Sequence, residues 1–307
     1  MNLSVEYHAD AALVALELDR AHPYRIEAKV IRDSRSPLRL VMEQTEATRY
    51  EGIVPLRDLE SDAAWVAISV RGAGDLEWSS LERIRATRVG ALVGGEVFDE
   101  ERMASIRVPQ AALVKDTWFR VEKEAGPPLE RDLDYVSPVY RFEPTGALLR
   151  AAATIKVRPF ADGGEGKRVA LYRMDAHGRW SYVARRSDPS RPEVSSATTK
   201  LSRYALIRDD APPTVHSLRP APGSSIATTK PRLQAKVSDI GSQFEAEDVQ
   251  ILLDGKRVIA EYDPERELVL YGVKSPLGLG SHRFAVVATD RAGNTAKSES
   301  TFYVTGE

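Results

Sequence analysis

Apolar and polar residues alternate with period two along much of this chain, the pattern of strands with one face buried and one in water. It is clearest in Ala12-Leu13-Val14-Ala15-Leu16-Glu17-Leu18, Tyr24-Arg25-Ile26-Glu27-Ala28-Lys29-Val30 and Leu38-Arg39-Leu40-Val41-Met42. After polar breaks it returns in Tyr50 to Leu56 and in Ala64-Trp65-Val66-Ala67-Ile68-Ser69-Val70, a spacing typical of β-sandwiches. Arg71-Gly72-Ala73-Gly74-Asp75 supplies a turn. The stretch Leu76 to Arg88 also holds helix-compatible residues, Leu81-Glu82-Arg83-Ile84-Arg85, and a strand is the favoured reading.

Further on, the strand-like runs shorten and are fenced by turn residues. Between Ile106 and Ile207 they include Val139-Tyr140-Arg141-Phe142, Ala153-Thr154-Ile155-Lys156-Val157, Val169 to Met174 with Trp180 close behind, and Tyr204-Ala205-Leu206-Ile207. Gly90 to Gly95 reads as the linker into this stretch, and Ala161-Asp162-Gly163-Gly164-Glu165-Gly166 as a hairpin tip. Asp209-Asp210-Ala211-Pro212-Pro213 ends it, because two prolines cannot continue a central strand. Three more runs follow, Pro231 to Asp239, Val249 to Gly255 and His282 to Ala288, with hairpin turns at Asp254-Gly255 and Asp290 to Asn294. The expected fold class is all-β, as tandem β-sandwiches over residues 1–89, 90–210 and 211–307.

Composition changes this picture little. The 307 residues exceed one sandwich, and 42% hydrophobic content suffices for cores without staples. The formal charge of -2, with both signs interspersed, gives no footprint for nucleic acid. No run approaches the ~20 apolar residues of a membrane span, and the first residues lack the pattern of a signal peptide. With no cysteine, disulfides, thiol catalysis and thiolate metal sites are excluded.

Three stretches carry a family resemblance. Val108-Pro109-Gln110-Ala111-Ala112-Leu113, Tyr140-Arg141-Phe142-Glu143-Pro144 and Ser202-Arg203-Tyr204-Ala205 resemble the ZU5-type sandwich of bacterial surface proteins. The first segment weakly resembles an immunoglobulin or fibronectin-III module. Asp239 to Gly241, Leu253-Asp254-Gly255, His282 and Asp290 to Asn294 resemble bacterial immunoglobulin-like domains. The series looks like the accessory C-terminal region of exported M23 (lysostaphin-type) metallopeptidases. That family's zinc site needs H-x-x-x-D and H-x-H, and neither spacing occurs, so peptidase activity does not carry over. The resemblance implies a location outside the cell, in the periplasm or on a bacterial surface. It also implies partners among other domains of the same polypeptide or a surface protein, with cell-wall glycan as the alternative ligand. Some ZU5-containing proteins cut themselves at His-Phe-Ser. Here Lys200-Leu201-Ser202 keeps the serine without the histidine, so Ser202 is expected to sit uncleaved at the start of the final strand.

No residue is assigned a catalytic, cofactor-binding or metal-binding role, and no enzyme activity is expected. His8, His22, His177, His216 and His282 are scattered, and His282 is expected to pack or to accept a backbone hydrogen bond. No spacing singles out two acids for glycoside hydrolysis. Asp209, Asp210, Asp239, Asp290 and Asn294 are oxygen ligands that a hard cation would accept, but each is also a common turn former. On spacing alone, calcium and EDTA should leave the melting temperature unchanged. A glycan platform would need an exposed aromatic; Trp118 and Trp180 are expected to pack, leaving Trp78 as the least constrained tryptophan.

Overall fold

The computed structural model describes the chain except residues 22, 33–34, 60–62, 73–76, 162–167, 186–191 and 307. His22, the turn at Gly72 to Asp75 and the tip at Asp162 to Gly166 therefore fall wholly or partly outside the described residues. What is described is all-β, as expected: strands in six sheets, with two short 3-10 turns at Leu56–Asp58 and Ala246–Asp248. By contacts the chain divides into two compact units that interleave along the sequence, with breaks inside the strands Val194–Thr198 and Arg203–Asp209.

Unit 1 comprises residues 1–125, 138–158 and 195–204. Its first sheet runs Asn2–Tyr7, Ala11–Glu17, Arg49–Pro55, Glu43–Glu46, and its second Arg35–Leu40, Arg25–Arg32, Ala63–Arg71, Glu77–Arg85. Period two explains the layering. Ala12, Val14 and Leu16 point into one core with Ala28, Val30, Val66, Ile68, Val70 and Ile84. Register agrees, since Val30 lies opposite Val66 and Ala28 opposite Ile68. A one-residue slip would turn all of these outward.

Glu77–Arg85 is a strand, paired residue for residue with Ala63–Arg71. Trp78 packs on the core and Ile84 is buried in it, a period-two face that overrides the local helix compatibility. A third sheet holds Gly95–Phe98, Ala104–Val108, Ala153–Val157 and, from Ser195, the strand Val194–Thr198. Thr117–Glu124 pairs with Thr87–Val89 on one side and Val139–Glu143 on the other. Gly90 to Gly94, expected as a linker, form instead a tight turn closed by a Gly90–Gly94 bridge. Gly94 has φ +74°, and a Cβ there would lie 2.5 Å from the Val108 carbonyl oxygen, so only glycine fits.

Unit 2 comprises residues 126–137, 159–194 and 205–307. In it the remainder of Arg203–Asp209 pairs with Leu133–Tyr135 and neighbours Val169–Met174, which pairs with Trp180–Arg185. Two further sheets run Thr214–Arg219, Arg232–Ser238, Leu268–Gly272, Glu261–Asp263 and Ser225–Ile226, Thr295–Val304, Gly280–Thr289, Val249–Leu253, Lys256–Val258. Their inward faces share a core of Leu233, Ala235, Val237, Ile251, Val269, Phe284, Val286, Phe302 and Val304. The hairpin at Asp254-Gly255 has both residues at positive φ, 48° and 78°, as a two-residue turn between right-twisted strands demands.

Trp180 is half-buried, its indole N–H donating to the Tyr135 hydroxyl at 3.0 Å with the rings edge-on at 5.9 Å. Truncating it gives up only part of the ~3–5 kcal/mol that a fully buried ring contributes.

Candidate cation site at the Asp209 linker

The strand Arg203–Asp209 delivers Asp209 to the edge of a tightly bonded set of loops, all within unit 2. Asp209 is fully buried. Its Oδ2 accepts the Ser242 amide at 2.6 Å and its Oδ1 the Ala211 amide at 3.1 Å. The Tyr172 hydroxyl reaches Oδ2 at 3.5 Å, and burial first and the Asp209 charge second raise the tyrosine well above its ordinary pKa.

The loop after Arg232–Ser238 begins at Asp239, whose Oδ2 accepts the Gly241 and Gln243 amides at 3.0 and 2.7 Å. This is the hydrogen bond of an aspartate to its own following turn. The hairpin Asp290 to Asn294 supplies the third wall. Asp290 takes the Asn294 amide on Oδ1 and its side-chain NH2 on Oδ2, both at 2.8 Å. That same NH2 also donates to the Asp209 carbonyl at 2.9 Å. Ser242 Oγ accepts the Ala292 amide at 2.9 Å, and the Gln243 carbonyl accepts the Arg291 amide at 2.8 Å. Linker, loop and hairpin are thus joined by backbone-directed bonds, and Asn294 clamps the linker.

Gathered here, one oxygen from each of Asp209, Asp239 and Asp290 lies within 4.8 Å of the others. That spacing suits a single hard cation, whose oxygen ligands sit at ~2.3–2.6 Å and hence up to ~5 Å apart across the ion. Among the described residues none of the three carboxylates forms an ion pair, and Asp239 Oδ1 is buried without a hydrogen-bond partner. Burial, reinforced by the other two carboxylates, pushes Asp239 up to about 6. Asp290 is raised as well, again by burial first and against the bonds from Asn294. A divalent cation held by the three would favour the ionised forms of Asp239 and Asp290.

The oxygen donors weighed in the sequence, none of them assigned to a metal, are partly brought together. Asp209, Asp239, Asp290 and Asn294 converge, whereas Asp210 is held by Arg168 and Arg208 at 2.7 and 3.0 Å, with Arg168 chiefly lowering its pKa. His282 sits elsewhere, its Nδ1 2.8 Å from Asp254 Oδ2 and its Nε2 2.9 Å from the Gly278 carbonyl. Both neighbours are acceptors, so the ring donates rather than accepts, and the bond to Asp254 raises its pKa. Of the tryptophans, Trp78 and Trp118 pack on the first core. Trp65, 38% exposed with Arg83 5.8 Å from its ring, is the more open tryptophan.

In unit 1, Glu143 is pushed up to about 7, mainly by burial. That value would suit a proton donor, but Arg120 faces it across the strand pair and Arg141 Nε lies 3.6 Å away. A cleft of about 310 Å³ in this unit is lined by other residues, including Arg83, Arg85, Glu100 and Glu122. Glu143 does not itself line that cleft, although Arg120 and Glu122 beside it do.

No family model matches the chain, and no curated protein does either. Solved structures give remote likenesses. CopC from Methylosinus trichosporium OB3b matches at 15% identity and a TM-score of 0.26, over 31% of this chain and 95% of that one. A 1.5-MDa bacterial ice-binding adhesin matches at 9% and 0.21, over 100% and 97%. Immunoglobulin domains 1–4 of Sidekick-1 match at 13% and 0.20, over 99% and 72%. Scores this low carry nothing about function. Among the described residues no helix is long and apolar enough to cross a membrane.

Proposed function

We propose that this chain is a non-catalytic, load-transmitting segment of a larger exported bacterial protein, serving as a stiff spacer or protein-interaction surface. The observation behind this reading is the clamp on the diproline linker. Asn294 and Ser242 hold Asp209 and Ala211 against the loops of the following sheets, where a flexible tether would run free through solvent. The accessory region of an M23-type peptidase fits the same reading, as does an extracellular or periplasmic location. The alternative ligand is cell-wall glycan, for which Trp65 is the aromatic to test.

Incubation with insoluble peptidoglycan separates the readings. The spacer is expected to stay in the supernatant and to release no soluble fragments. Co-sedimentation lost in Trp65→Ala would replace it with the glycan-targeting module, and turnover would make the segment an enzyme.

A further inference from the structure

Three loops of unit 1 meet at one end of its third sheet and expose aliphatic side chains together. Leu92 and Val93 form the tip of the Gly90–Gly94 turn, 78% and 81% exposed; Val114 and Leu148, 53% and 76% exposed, stand on the other two loops. The loops are bonded to one another. Gly94 abuts Val108 and Pro109, the Ala91 amide donates to Asp116 Oδ1 at 2.8 Å, Leu113 bridges Leu149, and the Arg150 amide donates to the Ala112 carbonyl at 2.8 Å. Four exposed aliphatics on a fixed frame are an arrangement that water disfavours.

Backbone and charge at this end indicate what covers them. The turns are compact: Gly94 and Val93 donate to the Gly90 carbonyl, Ala112 to Pro109 and Ala147 to Pro144. The acids nearby are already taken, Asp116 by Arg88 and Asp10 by Lys115. Arg150 is exposed and forms no ion pair among the described residues, so the surplus charge is positive. The exposed apolar residues are aliphatic, with none of the aromatic anchors that dominate protein-binding hot spots.

We propose that this three-loop tip docks on an anionic lipid surface, with Leu92, Val93, Val114 and Leu148 entering the interface and Arg150 meeting headgroup phosphates. The site is independent of the linker clamp and goes beyond the spacer reading.

The test is sedimentation of the full chain with large unilamellar vesicles of phosphatidylcholine containing phosphatidylglycerol, beside vesicles of phosphatidylcholine alone. Binding to the anionic vesicles is expected to fall about tenfold or more in L92D/V93D and in L148D, and to weaken in R150E, with melting temperatures unchanged because these side chains are exposed. As a second readout, Leu92→Trp should shift its fluorescence to the blue only with anionic vesicles. The proposal is overturned if the wild-type chain stays in the supernatant, if the aspartate variants bind as well as wild type, or if the Leu92→Trp emission does not move. Self-association in sedimentation velocity that L92D/V93D abolishes, without vesicle binding, would assign the tip to a second copy of the chain.

Discussion

Asp209→Ala is expected to destabilise unit 2 by about 2–4 kcal/mol. The substitution leaves the buried Ser242 and Ala211 amides without acceptors, and each orphaned donor costs roughly 1–3 kcal/mol. Relief of repulsion with Asp239 and Asp290 works the other way and keeps the sum below the simple total. Asp209→Asn should fall between, since its one carbonyl oxygen can accept only one of the two amides. Urea unfolding followed by tryptophan fluorescence measures both. A shift in Asp209→Ala under ~1 kcal/mol would mean that the loops hold together without the carboxylate. Gly241→Ala should mimic the loss, because its Cβ would lie 2.2 Å from Asp209 Oδ2.

Calcium at a few millimolar is expected to raise the melting temperature of chelator-treated protein by roughly 5 °C at pH 7.5 and by much less at pH 5. The sign follows from Asp239, whose pKa in the folded chain, about 6, is raised above its ordinary value of 3.8. A carboxyl raised in this way contributes stability that is fully present below ~3.8 and is lost as pH rises through about 6. Metal-free protein should therefore lose stability over that window, and a bound cation should restore it above. Asp239→Asn should abolish the calcium response and flatten the pH dependence together. An unchanged melting temperature at pH 7.5 would leave the triad a set of loop-forming aspartates, as their spacing along the chain suggests.

The strands of both cores were legible because period two in a sandwich records burial directly: Val66, Ile68 and Val70 point inward wherever their strand pairs. The hairpins were legible too, since Asp254-Gly255 and Asp290 to Asn294 carry their own turn chemistry. The triad was not. Asp209, Asp239 and Asp290 come from a strand end, a loop and a hairpin far apart in the chain, and each has a local hydrogen-bonding role that explains it alone. Only the pairing of the strands that carry them makes them neighbours. His282 shows the same limit, because its place in the run His282 to Ala288 gave no sign that both ring nitrogens would face acceptors. Gly90 to Gly94 looked like a linker on composition and is a turn, because Thr87–Val89 pairs with Thr117–Glu124 immediately before it.

A rigid clamp on the diproline linker is the centre of this account, and ¹⁵N relaxation of the Asp210 and Ala211 amides tests it most directly. Both are hydrogen-bonded, to the Asp132 carbonyl and to Asp209 Oδ1. Order parameters near ~0.85, equal to those of the flanking strands and lowered in Asn294→Ala, are the predicted result. Values below ~0.6 in the wild-type chain would show a mobile tether and contradict the stiff segment.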